Sequence, residues 1–186
     1  MSEIIRCGWC EKDDLYRKYH DEEWGKPVYD DETIFEFLIL ESFQAGLSWY
    51  TILSKRENFV KALDNFDYKK IAEYSDKKVE ELMQNPGIIR NRLKVLATIT
   101  NAQNFMKIQE EFGSFSKYIW GFVDGKPIDN QFKSLSQIPA TTEISDKLSK
   151  DLKKRGFKFL GSTVVYAHMQ ATGMVNDHIL DCHTRK

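Results

Sequence analysis

Glu41 stands at the end of the apolar run Ile34-Phe35-Glu36-Phe37-Leu38-Ile39-Leu40, inside the stretch LILESFQAGLSW (38–49). In a helix it shares a face with Phe37 and Leu38 one turn before it and with Ala45 one turn after it. A carboxylate aimed into a core costs on the order of several kcal/mol unless something pairs with it. The aromatic residues Trp9, Tyr16, Tyr19, Trp24, Trp49 and Tyr50 lie close by along the chain. Aromatic faces around one buried anion suit a flat, cationic, π-rich ligand, through stacking, cation–π attraction and a single charge contact. The same residues also read as core aromatics beside a capped or salt-bridged glutamate.

A second set of chemistry-bearing residues lies at the two chain ends. Cys7 and His20 form a Cys-x12-His pair, and His178 and Cys182 form a His-x3-Cys pair. Two thiolates and two imidazoles complete a tetrahedral zinc shell, and i,i+4 spacing puts His178 and Cys182 on one face of a helical turn. A zinc with all four positions filled by protein is structural, and this one would staple the termini together. Cys10 and His183 are competing ligands, and His168, inside an apolar helical run, reads as a core histidine. The bland alternative is a buried cysteine, ordinary histidines and a tail.

The third set is the segment NPGIIRNRLKVLATI (85–99). It reads as a helix end, a Pro-Gly turn and a basic-flanked helix. A tight turn at Gly87 would let Ile88, Ile89 and Arg90 present backbone N–H groups to an anion, with Arg90, Arg92 and Lys94 adding charge for neighbouring phosphates. Pro-Gly turns also join helices in proteins that never touch DNA.

The elements that must position these groups read as helices. Asp30 or Asp31 caps the helix carrying Glu41, which Gly46 breaks. Ser48 caps a second, with an apolar stripe of Trp49, Ile52, Leu53, Phe59, Val60 and Leu63. Ser75 opens a third, ending at Pro86-Gly87. A long helix runs from about Arg90 to Phe112, with Leu93, Leu96, Ile99, Ala102 and Phe105 on one side, closed by Gly113. Ser114 starts a short aromatic helix. Helices over Ser145–Arg155 and Ser162–Thr172 end at Gly156 and Gly173. No run alternates over a strand's length, so the expected fold is all-α.

Composition is that of an ordinary globular protein: 186 residues, 41% hydrophobic and 30% charged. No apolar run approaches a membrane span, and the N-terminus lacks the features of a secretory signal, so the expectation is a cytoplasmic monomer with no membrane partner. The formal net charge of −1 does not by itself suggest nucleic acid, but the charge is uneven. Asp21–Glu41 holds eight acids against Lys26 alone, whereas SDKLSKDLKKRGFK (145–158) holds six bases against two acids. A neutral total can thus conceal a basic face suited to backbone phosphates, or simply solvated helix surfaces.

Taken together, RCGWC (6–10), YHDEEWGKP (19–27), LESFQAGLSWYTILSKRENF (40–59), GIIRNRLK (87–94), LSKDLKKRGFKFLG (148–161) and MQATGMVNDHILDC (169–182) resemble the constitutive bacterial DNA-3-methyladenine glycosylase I family, over nearly the whole chain and in the family's order. The resemblance implies a helix-hairpin-helix glycosylase fold and hydrolytic release of 3-methyladenine from alkylated double-stranded DNA, leaving an abasic site. It implies one structural zinc on Cys7, His20, His178 and Cys182. Glu41 matches the family's base-binding acid, and Trp9, Tyr16, Tyr19, Trp49 and Trp24 its pocket aromatics. It implies two lobes: residues 28–124 as a central helical lobe with the hairpin (Gly87, Ile88, Ile89, Arg90, Arg92, Lys94), and residues 1–27 plus 125–186 as a zinc-stapled lobe. The aspartate that the wider superfamily carries one helix after its hairpin is missing, as in the glycosylase I family; the first aspartate after Gly87 is Asp124. The family's cysteine-rich tail is replaced by DCHTRK. A non-catalytic DNA-binding module would use the hairpin without the aromatic box, and a purine-binding protein the box without the hairpin.

Overall fold

A computed structural model of the chain describes residues 4–185; Met1–Glu3 and Lys186, the extreme ends of the expected second lobe, lie outside the described residues. Side-chain caps explain where most helices begin. Asp13 accepts the Tyr16 N–H at the head of α1 (Asp14–Glu22), Asp30 that of Thr33 at α2 (Asp31–Gln44), and Ser48 that of Thr51 at α3 (Trp49–Ser54). After α4 (Arg56–Ala62) and α5 (Tyr68–Ile71), Ser75 caps α6 (Asp76–Gln84), Asn91 caps α7 (Arg92–Phe112) and Ser114 caps α8 (Phe115–Trp120). Thr142 heads α9 (Glu143–Lys154) in a reciprocal box with Ser145, and α10 spans Ser162–Ala171. Each cap satisfies an N–H that the first helical turn leaves unpaired.

The protein is mostly helical, with one amendment to the all-α expectation. β1 (Ile128–Asp129) and β2 (Val175–Asn176) pair in parallel, Ile128 opposite Val175. Two-residue strands are too short for alternation to register in a sequence. They tie the loose stretch after α8 to the C-terminal segment.

α2 is the central helix. Ile34, Phe35, Phe37, Leu38, Ile39, Leu40 and Phe43 are all buried, so apolar residues surround it rather than forming one stripe. One core runs from α2 through α7, α8, α9 and α10 to Val175. A second, smaller cluster joins Cys7, Tyr19 and Trp24 to Phe37, Leu53, Ala171 and Cys182, and so binds both chain ends to α2 and α3.

Three expectations change. The helix after Ser48 breaks at Lys55 (φ −104°, ψ 1°) into α3 and α4, and the break turns Arg56 onto Glu36 (2.8 Å) and Glu23 (2.7 Å). α7 begins at Arg92, because the Asn91 side chain caps it. Its inner face is also rotated: Leu93 and Leu96 are 68% and 41% exposed, while Lys94, Val95, Thr98, Asn101, Ala102, Phe105 and Ile108 face inward. Lys94 and Asn101 can point inward because each meets backbone groups of another segment, partners that no hydrophobic pattern reveals.

Candidate active site

Glu41 lies on the penultimate turn of α2, only 3% exposed, and its Oε2 has no hydrogen-bond partner among the described residues. Burial pushes its pKa up to about 8. Four further buried side-chain polar atoms are unpaired among the described residues: the two ring nitrogens of His168, away from this site, and the Tyr19 hydroxyl and Trp49 Nε1 beside it. Glu41, Tyr19 and Trp49 all line one cavity of about 410 Å³. Buried polar groups are nearly always paired, so three unpaired ones around one cavity mark a place for a polar ligand.

The walls are aromatic. α1 carries Tyr16 and Tyr19, the turn before it Trp9, the segment after it Trp24, and α3 opens with Trp49; all five line the cavity. Trp9 meets Tyr16 and Trp24 edge-on, with ring centroids 4.9 and 5.0 Å apart, and Tyr19 and Trp49 lie 5.4 Å apart. Burial raises the pKa of the Tyr19 phenol well above its ordinary value, and the nearby Glu41 charge adds to the effect. Tyr50 is not part of the wall; its hydroxyl donates to Asp13, the α1 cap.

Other wall residues escaped the sequence reading. Gln44 follows Glu41 on the same helical face, a spacing that could have identified it. Tyr166 and Gln170, four apart on α10, are set by a shared acceptor: the buried Asp177 takes the Tyr166 hydroxyl at 2.5 Å and Gln170 Nε2 at 2.9 Å. The segment holding Leu135, Ile138 and Ala140 closes another side and carries no sequence signal.

Beside the aromatic walls, Cys7, His20, His178 and Cys182 converge, all buried, with one ligand atom each within 4.8 Å of one another. His178 Nδ1 is 3.6 Å from both sulfurs, and His20 Nε2 is 3.6 Å from Cys182 Sγ. A tetrahedral ion with usual Zn–S and Zn–N lengths needs sulfur–nitrogen edges of about 3.6 Å, so the donor set fits. The remaining ring nitrogens are engaged, His20 Nδ1 with Asp21 Oδ1 (2.8 Å) and His178 Nε2 with the Trp24 carbonyl (2.9 Å), which directs His20 Nε2 and His178 Nδ1 toward the cysteine sulfurs, as a metal site would require. The His178–Cys182 juxtaposition comes from a bend and turn, not from the helical turn expected of i,i+4 spacing. Cys10 stays outside the shell, its thiol donating to the Cys7 carbonyl (3.1 Å), and His183 Nε2 meets Asp21 (2.9 Å). His168 is buried in the core, and its pKa falls to about 4 through burial.

α6 and α7 flank the Pro86-Gly87 turn. A Cβ on Gly87 would lie 3.0 Å from Asn85 Oδ1 and 3.1 Å from Asn58, so close packing, not a left-handed backbone, accounts for the glycine. The N–H groups of Ile89, Arg90, Arg92 and Leu93 bond no described residue, whereas Ile88 N–H reaches the Asn85 carbonyl at 3.5 Å. The open donors therefore lie slightly later than Ile88–Arg90. Arg90 is exposed; Arg92 is paired with Glu80 at 2.7 Å. Lys94 departs from the phosphate-binding expectation: it is buried, and its Nζ donates to the Phe43 and Ala45 carbonyls at 2.8 and 2.6 Å. It caps the C-terminus of α2.

Comparison with known proteins agrees with this architecture. The methyladenine glycosylase family model matches residues 9–186. The chain is 48% identical to DNA-3-methyladenine glycosylase 1 of Escherichia coli (strain K12) over 177 residues, 95% of each chain. Among solved structures it is similar to the 3-methyladenine DNA glycosylase I of Staphylococcus aureus described in a study of 3-methyladenine recognition (TM-score 0.95, 39% identity, 100% of this chain and 98% of that one). It is also similar to a tyrosine-to-phenylalanine variant of a 3-methyladenine DNA glycosylase I in complex with 3-methyladenine (TM-score 0.94, 40% identity, 97% of each chain). With matching that spans nearly every residue from the aromatic box to the Cys/His cluster, the chain belongs to the methyladenine glycosylase family.

Proposed function

We propose that this protein is a base-excision repair glycosylase that extrudes 3-methyladenine from alkylated double-stranded DNA and releases it by hydrolysis, leaving an abasic site. The observation that carries the reading is the aromatic cavity whose Glu41 Oε2, Tyr19 hydroxyl and Trp49 Nε1 are buried and unpaired among the described residues. Methylation at N3 makes the adenine ring cationic while it is still bonded to the sugar. The damaged base pairs weakly, so it is cheap to extrude, and its glycosidic bond is already weakened. The base stacks on Trp49 and Trp9, and Glu41 accepts hydrogen bonds from its edge. The cation favours the Glu41 carboxylate, opposing the burial that raises its pKa in the free pocket. Normal adenine gains less from Glu41 and leaves it underpaired, which disfavours it twice. As the C1′–N bond breaks, its electron pair neutralises the base; water then adds to C1′ and gives up a proton.

The reading includes a helix-hairpin-helix contact in which the open N–H groups of Ile89, Arg90, Arg92 and Leu93 and the Arg90 charge hold a phosphate. It includes one structural zinc on Cys7, His20, His178 and Cys182, supplying a cross-link between the termini and no open coordination position. Residues 28–124 and residues 1–27 with 125–186 act as two lobes. In support, Glu41, Gln44 and Trp49 come from the first and Trp9, Tyr19, Tyr166 and Gln170 from the second. Among the described residues no helix is long and apolar enough to cross a membrane, and we place the protein in the cytoplasm as a monomer.

The test is chromatography of bases released from methylated duplex DNA. Wild-type protein should release free 3-methyladenine, and Glu41→Gln should release it roughly tenfold or more slowly, as expected for loss of a hydrogen bond to a charged group. Undiminished release by that variant would remove Glu41 from the mechanism. Binding of free 3-methyladenine without any release would favour a purine-binding protein, and DNA binding alone a non-catalytic module.

A further inference from the structure

Phe159 has a φ of +57°, a left-handed conformation that bulky side chains rarely adopt, and it is 38% exposed between the buried Phe157 and Leu160. The backbone around it is firmly held. Fully buried Asn101 on α7 donates to the Lys158 carbonyl (3.0 Å) and accepts the Lys158 N–H (2.8 Å), and Ser149 Oγ donates to the Leu160 carbonyl (2.8 Å). Strain of this type persists where the surrounding structure imposes it, and it concentrates at functional positions.

The segment climbs α7 toward the hairpin. A Cβ on Gly156 would lie 2.9 Å from Asn104 Nδ2, Lys158 is clasped by Asn101, and the Phe159 ring centroid is 5.9 Å from Lys94 Nζ. These contacts retreat nearly three turns along α7 and bring Phe159 to its first turn, where Leu93 is exposed. Lys94 also holds the Phe43 and Ala45 carbonyls at the end of α2, beside the pocket residues Gln44 and Trp49. Phe159 therefore stands between the hairpin and the rim of the base pocket. Arg90, Lys150, Lys153, Lys154 and Lys158 are exposed on the segments that meet here and make no ion pair among the described residues.

We propose that Phe159 is an apolar contact to duplex DNA, packing against the bases that flank the extruded nucleotide while the surrounding cations hold the phosphates. The charge of the surroundings selects a polyanion, and an aromatic face suits a base of any sequence. The inference rests on the glycosylase reading and adds a residue outside the pocket.

Phe159→Gly tests it, because glycine adopts this φ without strain. Release of 3-methyladenine from methylated duplex should fall about tenfold or more, as for loss of one aromatic–base stack. The affinity for free 3-methyladenine and the melting temperature should stay at wild-type values, and Phe159→Leu should restore part of the activity. In a duplex carrying an abasic analogue beside 2-aminopurine, wild-type protein should change the probe's fluorescence and Phe159→Gly should not. Wild-type release and fluorescence from Phe159→Gly would overturn the contact. So would a parallel loss of free-base affinity and stability, which would make the ring a lid over Lys94. Wild-type protein that releases no base would instead overturn the glycosylase reading, and the fluorescence comparison would still decide the contact.

Discussion

Glu41 binds its proton more tightly in the folded protein than in the unfolded chain, since burial raises its pKa from 4.5 to about 8. The sign of its effect on stability follows. Its contribution is fully present below about pH 4.5, and it declines as the unfolded chain gains freedom to ionise while the buried group does not. The loss is complete once the pH passes the folded-state value. Glu41→Gln should therefore flatten the fall in melting temperature between about pH 5 and pH 9 and melt above wild type at the alkaline end. Superimposable curves for the two proteins would mean that Glu41 is not held in a charge-averse site. This residue was legible because a carboxylate interrupted an apolar period. Gln170 was not, because an amide in a helix becomes a wall residue only when Asp177, from another segment, takes up its Nε2.

Lys94 shows what a local charge pattern leaves open at the scale of the element. Between Asn85 and Lys94 three bases stand without an acid, a pattern that suggests phosphate binding for all of them. The rotation of α7 turns Lys94 inward onto the last carbonyls of α2 and leaves Leu93 outside. Lys94→Met should lower stability by about 1–3 kcal/mol, the cost of leaving buried carbonyls unpaired, measured by denaturant unfolding. It should leave the salt dependence of duplex binding unchanged, whereas Arg90→Ala should reduce that slope by about one phosphate contact. A shallower salt slope for Lys94→Met would return Lys94 to the DNA surface. Caps at Asp30, Ser48, Ser75 and Ser114 were readable because a side-chain oxygen three residues before a free N–H is a local event. The break at Lys55 was not, since it accompanies the reach of Arg56 to Glu36 and Glu23 on other segments.

For the whole molecule, the Cys/His cluster joins a residue before α1 to one after β2, and the cluster's neighbours Tyr19 and Trp24 belong both to the small core and to the pocket wall. Closing a loop of this length constrains the unfolded chain strongly. Metal analysis should find about one zinc per chain. Chelation or Cys182→Ala should remove it and lower the melting temperature by roughly 10 °C or more, corresponding to a loss of several kcal/mol in a protein of this size. Full metal content with Cys182→Ala would take Cys182 out of the shell. Helical class, most helix starts, the misplaced carboxylate and the residues able to bind metal were all set out in the sequence by itself, because each depends on side-chain type and short-range spacing. Only the tertiary structure decided that the two Cys/His halves meet, that Lys94 faces inward, that Phe159 is held in a left-handed conformation, and that Tyr166 and Gln170 complete the pocket. Those outcomes depend on contacts between segments far apart in the chain, whose geometry no local period encodes.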